Sequence, residues 1–344
     1  MMEVPKQEKN ENRERNIDKI FALRHQSGKE LFTDKLEYLP PYVKEMVLGR
    51  VRRLERYGKL SPTELKAEQM FMTNEAYKGL VDSRFNLPNK VFAKTEIVKH
   101  LDNLFSQEKP KESDFKKIGR LSFDLDGLKA INDLTGSHEK GDKYLRMVAD
   151  IFKDEELTDD LRGIGIESIV SVDGGDEFGI ILKADFDLSA RNQKLGDSAI
   201  NYVVEKIKEK VNGLKINNLI DFNNPKIKSR FEEMGIKVPE NYELKASISG
   251  GGATLFEGLS RLDLGENASY EQFLDGIMGN TLEESDLQMN LDKKNGIKKL
   301  ENSDKSEEKF NLIVRSRNEE EMRLRIELEK SKTEIVRLKG EISK

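Results

Sequence analysis

A short glycine-rich stretch carries the residues best suited to chemistry in this chain. Residues 172–178 read Val-Asp-Gly-Gly-Asp-Glu-Phe and lie between two apolar, β-branched runs at 168–171 and 179–182. Two such runs joined by a glycine-containing turn are typical of a β-hairpin, because glycine reaches the positive φ angles that tight turns need. At the tip, Asp176 and Glu177 offer hard oxygen ligands beside bare backbone, which suits a divalent cation and a phosphate chain. An acidic hairpin turn without a ligand is the alternative interpretation.

A second acidic segment follows a predicted strand. Residues 118–124 have the pattern of a strand, and it ends in an acidic turn that carries Asp124 and Asp126. If this strand end lies beside the hairpin tip, Asp124 joins Asp176 and Glu177 in a cluster of three carboxylates. Like charges at short range repel, so such a cluster needs divalent cations. The two acidic segments together therefore predict a metal site.

Polar residues suited to a nucleotide follow this turn. Lys129, about one helical turn further on, is placed to meet the phosphates that a metal attracts. Asn132 and Asp142 together suit a guanine edge, because a carboxylate accepts hydrogen bonds from the N1–H and N2–H groups of guanine. Each of these residues alone is more typical of a polar loop or a helix cap. Their combination at this spacing favours a nucleotide site.

The composition limits which metals and partners fit. The chain has 344 residues, no cysteine and three widely separated histidines, so a metal here should be oxygen-ligated Mg²⁺ or Mn²⁺. Its net charge of -5, with both signs interspersed, does not suggest a nucleic-acid partner. No apolar stretch approaches the ~18 residues needed to span a bilayer, and the N-terminus is not signal-like. We therefore expect a cytoplasmic protein that binds neither membrane nor nucleic acid.

The segments at both ends differ from the middle of the chain. Residues 1–16 are almost wholly polar and predict a disordered tail, whereas 17–81 predict helices, the last of which leads into the central domain. Residues 214–243 fit no element and predict an insertion or a long irregular connection. Residues 301–344 predict a C-terminal helix, for which a solvated single helix and a short coiled coil both remain open. The coiled-coil seam would consist of Leu324, Leu328, Ile335, Leu338 and Ile342.

Apolar periodicity places the elements of the central domain. A strand is predicted at 244–253, where the chain runs into glycines. Helical spacing is seen in five segments, at 91–105, 141–152, 198–211, 270–277 and 282–291.

Several of these segments match motifs of one protein family. The signature Gly-Gly-Asp-Glu-Phe stands letter for letter at 174–178. The other matches are 82–90 to D-x-L-T-G-L-x-N-R, 124–133 to D-x-D-x-F-K-x-I-N-D with Leu128 for phenylalanine, 246–251 to T-x-S-I-G-V, and 285–296 to A-D-x-A-L-Y-x-A-K-x-x-G. The chain thus resembles the GGDEF family, the diguanylate cyclases, over about residues 82–300.

The resemblance implies a fold and a reaction. The fold would be α+β, with a nucleotidyl-cyclase-like, mainly antiparallel central sheet wrapped by helices, extended at both ends by further helices. Two GTP molecules, each held by one subunit of a homodimer, would condense to cyclic di-GMP and two pyrophosphates. In this reaction each 3′-hydroxyl attacks the other nucleotide's α-phosphorus with metal assistance.

The resemblance also implies roles for single residues. Catalysis would fall to Asp176, Glu177 and Lys129, with Asp176 as proton acceptor. Two Mg²⁺ or Mn²⁺ ions in each active site would be held by Asp124, the Leu125 carbonyl, Asp176 and Glu177. The substrate would be bound by Asn132, Asp142, Gly174, Gly175 and Lys293.

The chain departs from the family pattern at several positions, and two of these departures, Val172 and Ile297, favour a second hypothesis. The arginine two residues before the Gly-Gly pair is Val172, the arginine after the closing glycine is Ile297, and the spacing from 136 to 142 is one residue longer. The product-inhibition motif R-x-x-D would fall on Gly165 and Ser168, so we expect no inhibitory site there. The alternative is therefore a catalytically silent GGDEF domain that binds GTP or a protein as a regulatory module.

Overall fold

The computed structural model describes residues 16–17, 48, 52, 79–107, 109–225, 227–229, 244–263 and 268–301. Apart from isolated residues, the expectations for the N-terminal tail and for the helices before residue 79 lie outside these ranges. So do the expectations for 230–243 and for the C-terminal helix beyond residue 301.

Helices and strands are mixed along the described ranges. In chain order they are β1 Val81–Asp82, β2 Leu87–Pro88, α1 Lys90–Gln107, α2 Glu112–Phe115, β3 Ile118–Leu125, α3 Leu128–Thr135, α4 His138–Phe152, α5 Glu155–Gly163, β4 Ile166–Val172, β5 Glu177–Ala184, α6 Ala199–Asn212, a 3₁₀ turn Asn217–Leu219, β6 Ile248–Thr254, α7 Leu255–Ser260 and α8 Tyr270–Glu301. The predicted α+β class is confirmed. No helix in these ranges is both long and apolar enough to cross a bilayer.

The central sheet contains the predicted hairpin. Its four strands lie in the order β4-β5-β3-β6. Strands β4 and β5 pair antiparallel, in a register that runs from Ile166 opposite Ala184 to Val172 opposite Phe178. A separate pair, β1 and β2, is also antiparallel. Strand β5 is a nearly continuous run of buried apolar residues, a pattern typical of a central strand.

The chain divides into two compact units, which we treat separately. The first unit consists of Met1–Ser122, Glu155–Tyr202 and Gly251–Gln288, and the second of Phe123–Asp154, Val203–Gly250 and Met289–Lys344. In the first unit, helix α1 turns Ala93, Ile97, Leu101 and Phe105 into an apolar cluster that also contains Phe273 and Ile277 of α8. Their spacing of four residues places the α1 side chains on one face, which explains the predicted helix at 91–105.

In the second unit, helices α3 and α4 pack together. Each of the two helices contributes an apolar face: Ala130, Ile131 and Leu134 from α3, and Tyr144, Leu145 and Val148 from α4. Phe123 of β3 stacks edge to face on Phe152 of α4, with ring centroids 5.4 Å apart. This packing fixes the end of strand β3, where Asp124 and Asp126 are found.

Several elements differ from the sequence-based expectation. The two helices predicted at 270–277 and 282–291 are one helix of 32 residues. Gly279 does not break it, since buried Met278 and Thr281 on either side anchor the helix and offset a glycine cost of about 1 kcal/mol. Strand β6 begins at Ile248, because Ala246 instead donates its backbone N–H to Leu214. Helices α2, α3, α5 and α7 were not predicted.

Candidate functional site

The tip of the β4–β5 hairpin is built as the sequence indicates. The backbone N–H groups of Asp173 and Gly174 donate to the Glu177 carbonyl at 2.9 and 3.4 Å, which closes the turn. A Cβ atom at Gly174 would lie 2.7 Å from the Glu177 carboxylate, so the end of that side chain would have to shift. Gly175 faces open space, and Asp176 beside it is half-buried. The tip therefore presents carboxylates next to accessible backbone.

An arginine from the β1–β2 turn reaches this tip. Arg84 binds both carboxylate oxygens of Asp82 and donates a further hydrogen bond of 3.3 Å to the Gly174 carbonyl. The guanidinium holds the pKa of Asp82 below its usual value, despite partial burial. Asn86 closes the same turn at φ 55°, a left-handed conformation that asparagine tolerates better than most residues. Sequence reasoning missed Arg84, although it stands where the family motif has leucine.

Asn89 and Val172 have structural roles. The Asn89 side chain accepts hydrogen bonds from the N–H groups of Val91 and Phe92, so it caps helix α1. Asn89 also forms a parallel bridge with Val172, which is 4% exposed. The residue at the family's arginine position is thus part of the core. The guanidinium beside the tip comes from Arg84.

In the second unit, a lysine faces the acidic end of strand β3. The ammonium group of Lys293 donates a hydrogen bond to Asp124 and lies 3.7 Å from Asp126. Hydroxyl groups hold Asp126, since Ser247 and Ser249 donate to its two oxygens at 2.7 and 3.0 Å. The ammonium group thus already neutralises part of the negative charge of this carboxylate pair. Leu125, whose carbonyl is the other expected ligand here, is buried at the end of β3.

Tyr144 of helix α4 ties this strand end to Ser247, the residue just before β6. Its hydroxyl donates to the Asp126 carbonyl at 3.1 Å and accepts a hydrogen bond of 3.2 Å from the Ser247 N–H. The backbone N–H of Asp126 in turn donates to the Ser247 carbonyl at 3.0 Å. The position of Asp126 is therefore fixed by both backbone and side-chain contacts.

The expected guanine-binding residues lie on α3 and α4. The amide oxygen of Asn132 is buried and accepts no hydrogen bond within the described ranges, which is unusual for a buried polar atom. A Cβ atom at Gly141 would overlap the Asn132 amide, so glycine is needed for this close approach. Asp142 and Lys129 are exposed on their helices. This arrangement of an unpaired amide oxygen beside glycine fits a nucleobase.

The extra residue between 136 and 142 falls in the connection between the two helices. Gly136 ends α3 in a left-handed conformation at φ 63°, and Ser137 occupies the N-cap position of α4. Gly141 then still contacts Asn132. The longer spacing is thus absorbed before the part of α4 that carries Gly141 and Asp142.

The expected three-carboxylate metal site remains a prediction. Asp124 lies in the second unit, whereas Asp176 and Glu177 lie in the first. Within the part of the chain that the structure describes, no group of three or more acidic or histidine side chains is arranged to hold a metal ion.

The comparison with known proteins identifies the domain. Residues 80–220 match the family model described as "Diguanylate cyclase, GGDEF domain". No curated protein matches the chain.

Several solved structures are similar to parts of the chain. Diguanylate cyclase SiaD of Pseudomonas aeruginosa, solved with its activator SiaC, is 19% identical over 74% of each chain, with a TM-score of 0.37. The coiled coil and GGDEF domain of DgcB from Caulobacter crescentus, solved with c-di-GMP, is 15% identical over 71% of this chain and 94% of that one, with a TM-score of 0.41. An active GGEEF domain from Vibrio cholerae is 18% identical over 52% of this chain and 78% of that one, with a TM-score of 0.30.

These three likenesses are too distant to carry an argument about function, so the assignment depends on the family model and the motifs. The match at 80–220 contains the complete Gly-Gly-Asp-Glu-Phe signature at 174–178, on an antiparallel hairpin. Residues 80–220 therefore match the GGDEF domain family.

Proposed function

We propose that this protein is a diguanylate cyclase, which condenses two GTP molecules into cyclic di-GMP and two pyrophosphates. The observation that carries the proposal is the hairpin tip, where an intact signature presents Asp176 and Glu177 beside the accessible backbone of Gly174 and Gly175. An acidic turn with open backbone is suited to a metal-bound triphosphate.

In the proposed site, separate residues bind the guanine base, contact the phosphates, accept the proton and hold the metal ions. Asn132, with its unpaired amide oxygen, and Asp142 bind the guanine edge, while Lys129 and Lys293 contact the phosphates. Asp176 accepts the proton of the attacking 3′-hydroxyl. Two Mg²⁺ or Mn²⁺ ions, held by Asp124, the Leu125 carbonyl, Asp176 and Glu177, would neutralise the triphosphate and lower the pKa of that hydroxyl.

The reaction requires two copies of the domain. One domain holds one GTP and supplies half of the reacting groups, so catalysis takes place in a homodimer with the two nucleotides facing each other. The rate per chain should therefore rise with protein concentration until the dimer is fully formed.

The alternative function is that of a catalytically silent GGDEF domain that binds GTP or a partner protein. Two observations favour it. Val172 is buried where the family has arginine, and Ile297 replaces the arginine after the closing glycine. Both changes remove a positive charge from the expected phosphate region.

One experiment separates the two functions. The purified chain is incubated with GTP and Mg²⁺, and the nucleotides are separated by chromatography while pyrophosphate is measured. Formation of cyclic di-GMP with two pyrophosphates per product, lost in Asp176→Ala, would support the cyclase. Binding of GTP without turnover, over a range of protein concentrations and with Mn²⁺ as well, would support the silent module.

A further inference from the structure

A buried arginine contacts the base of the hairpin from a neighbouring strand. Arg120 lies on β3, and its side chain is 1% exposed. Its guanidinium donates to the Ser171 hydroxyl at 3.2 Å and forms an ion pair with Asp173, whose side chain is 8% exposed. Ser171 also donates to Asp173, at 2.7 Å. Strand β3 and the end of strand β4 thus contribute to one buried polar network.

A buried guanidinium is costly, because desolvation of the charge can exceed the attraction to its partner. Arg120 is not fully satisfied either, since its Nε finds no acceptor among the described residues. Replacement of both partners of such a pair by well-packed apolar residues is often neutral or even stabilising. The network therefore needs an explanation other than stability.

The surrounding residues are shaped around this guanidinium. A Cβ atom at Gly179 would overlap the guanidinium of Arg120, so β5 carries no side chain at the point where the arginine crosses it. On β4, Ser171 pairs directly opposite Gly179 and supplies the hydroxyl partner. The glycine, the serine and the aspartate thus all accommodate the same side chain.

The network ends at the turn that carries the signature. Asp173 immediately precedes Gly174, and its backbone N–H donates to the Glu177 carbonyl at 2.9 Å. The side chain of Asp173 is thus held by β3, while its backbone holds the residue that follows Asp176. A change in the Arg120–Asp173 contact would move the backbone that positions both signature carboxylates.

We propose that Arg120 is a positioning residue, which fixes the hairpin tip through Asp173 without touching the substrate. Its effect on turnover depends on the proposed cyclase function, whereas its effect on the tip does not. The side chain supplies a buried, directional anchor, since the guanidinium holds Ser171 and Asp173 at once.

The test compares backbone hydrogen exchange in Arg120→Met and Arg162→Met. Arg162 is a matched control, because it forms an exposed ion pair with Asp159 and is itself 69% exposed.

We expect Arg120→Met to speed exchange of the Asp173 and Gly174 amides about ten-fold relative to the β4–β5 ladder amides, as a local opening would. In an active enzyme it should also lower kcat by up to about 100-fold with little change in KM for GTP. Arg162→Met should change neither, and Arg120→Lys should restore part of both.

A second variant guards against poor folding. In Arg120→Val/Gly179→Ala, the added methyl group fills space that the guanidinium occupied, and the tip amides should again exchange faster. Unchanged tip amides in the folded variants, or a uniform rise at all strand amides, would overturn the proposal. If the tip amides respond but the wild-type protein makes no cyclic di-GMP, the positioning role stands and the cyclase function fails.

Discussion

Lys293 places its ammonium group against Asp124, at the end of strand β3. The same group is 3.7 Å from Asp126, so a cation already faces Asp124, one of the carboxylates to which the proposed function assigns a metal. A divalent ion at Asp124 would meet the repulsion of this ammonium unless the triphosphate draws the lysine away. Metal and nucleotide should therefore bind together more readily than metal alone.

The first prediction follows for Lys293→Met. The variant lacks the ammonium group, whose positive charge repels a metal ion at the carboxylates. Mn²⁺ should therefore bind the nucleotide-free protein about ten-fold more tightly. The KM for GTP should rise, since a phosphate contact is lost. Titration with Mn²⁺ followed by electron paramagnetic resonance, together with steady-state kinetics, checks both effects. The exposed neighbour provides the control Lys294→Met, and equal Mn²⁺ affinity in the two variants would contradict the prediction.

The second prediction concerns Asp176→Ala. This carboxylate is the proposed proton acceptor and a metal ligand, so its loss should abolish turnover and weaken Mg²⁺-dependent GTP binding. The fold should be retained, because Asp176 is only half-buried at a turn. Calorimetric titration and thermal unfolding measure these properties. Turnover equal to that of the wild type would remove Asp176 from the site.

The third prediction concerns Gly141→Ala. The added methyl group would push against the Asn132 amide and displace it. We expect the KM for GTP to rise about ten-fold and the preference for GTP over ATP to fall, as a hydrogen-bonding pocket loses its geometry. Gly163→Ala is the control, because a Cβ atom there has open space. If both variants keep the same nucleotide preference, the Asn132–Gly141 contact does not select the base.

The fourth prediction concerns pH and His100. The pKa of His100 is lowered from 6.5 to about 4, chiefly by burial. The positive charges of Lys183 and Lys99 contribute to the lower pKa, and the negative charge of Glu167 opposes this shift. Between these values the unfolded chain binds more protons, so the contribution of neutral His100 is complete above about pH 6.5 and declines toward pH 4. Urea unfolding at pH 7.5 and pH 5 should show a smaller loss of stability in His100→Gln. An identical loss in both proteins would show that His100 titrates normally.

The fifth prediction concerns product inhibition. Gly165 stands at φ 82° in the turn before β4, and neither Gly165 nor Ser168 can supply the charged pair of the inhibitory motif. Cyclic di-GMP should therefore not inhibit at this surface, as initial rates with added product would show. Tight, noncompetitive inhibition of turnover by cyclic di-GMP would contradict this prediction if substitutions near Gly165 abolished that inhibition.

Local patterns were predictable from the sequence. The hairpin depends on neighbouring β-branched residues and two glycines, and helix α1 on one apolar face, so both could be predicted. Helix α3 was missed because its Asn, Asp and Thr residues have low helix propensity, and packing against α4 stabilises it instead.

Contacts between distant residues were not predictable. Arg120 and Asp173 are 53 positions apart, and Asp124 and Lys293 are 169 apart. Motif matching indicated that Lys293 serves the site, but only the fold shows that it faces Asp124. It also indicated the loss of an arginine at Val172, but not the guanidinium that Arg84 brings to Gly174.

Helix α4 connects recognition of the base to the acidic strand end. It carries Gly141 against Asn132, and one turn later Tyr144, whose hydroxyl holds the backbone of Asp126. A base that fits badly and tilts α4 would pull on Asp126 through Tyr144. Under the proposed function, a wrong nucleotide would thus lose affinity at its base and also disturb the carboxylates near its phosphates. Substrate fidelity would then arise from a single rigid helix, without a separate checking step.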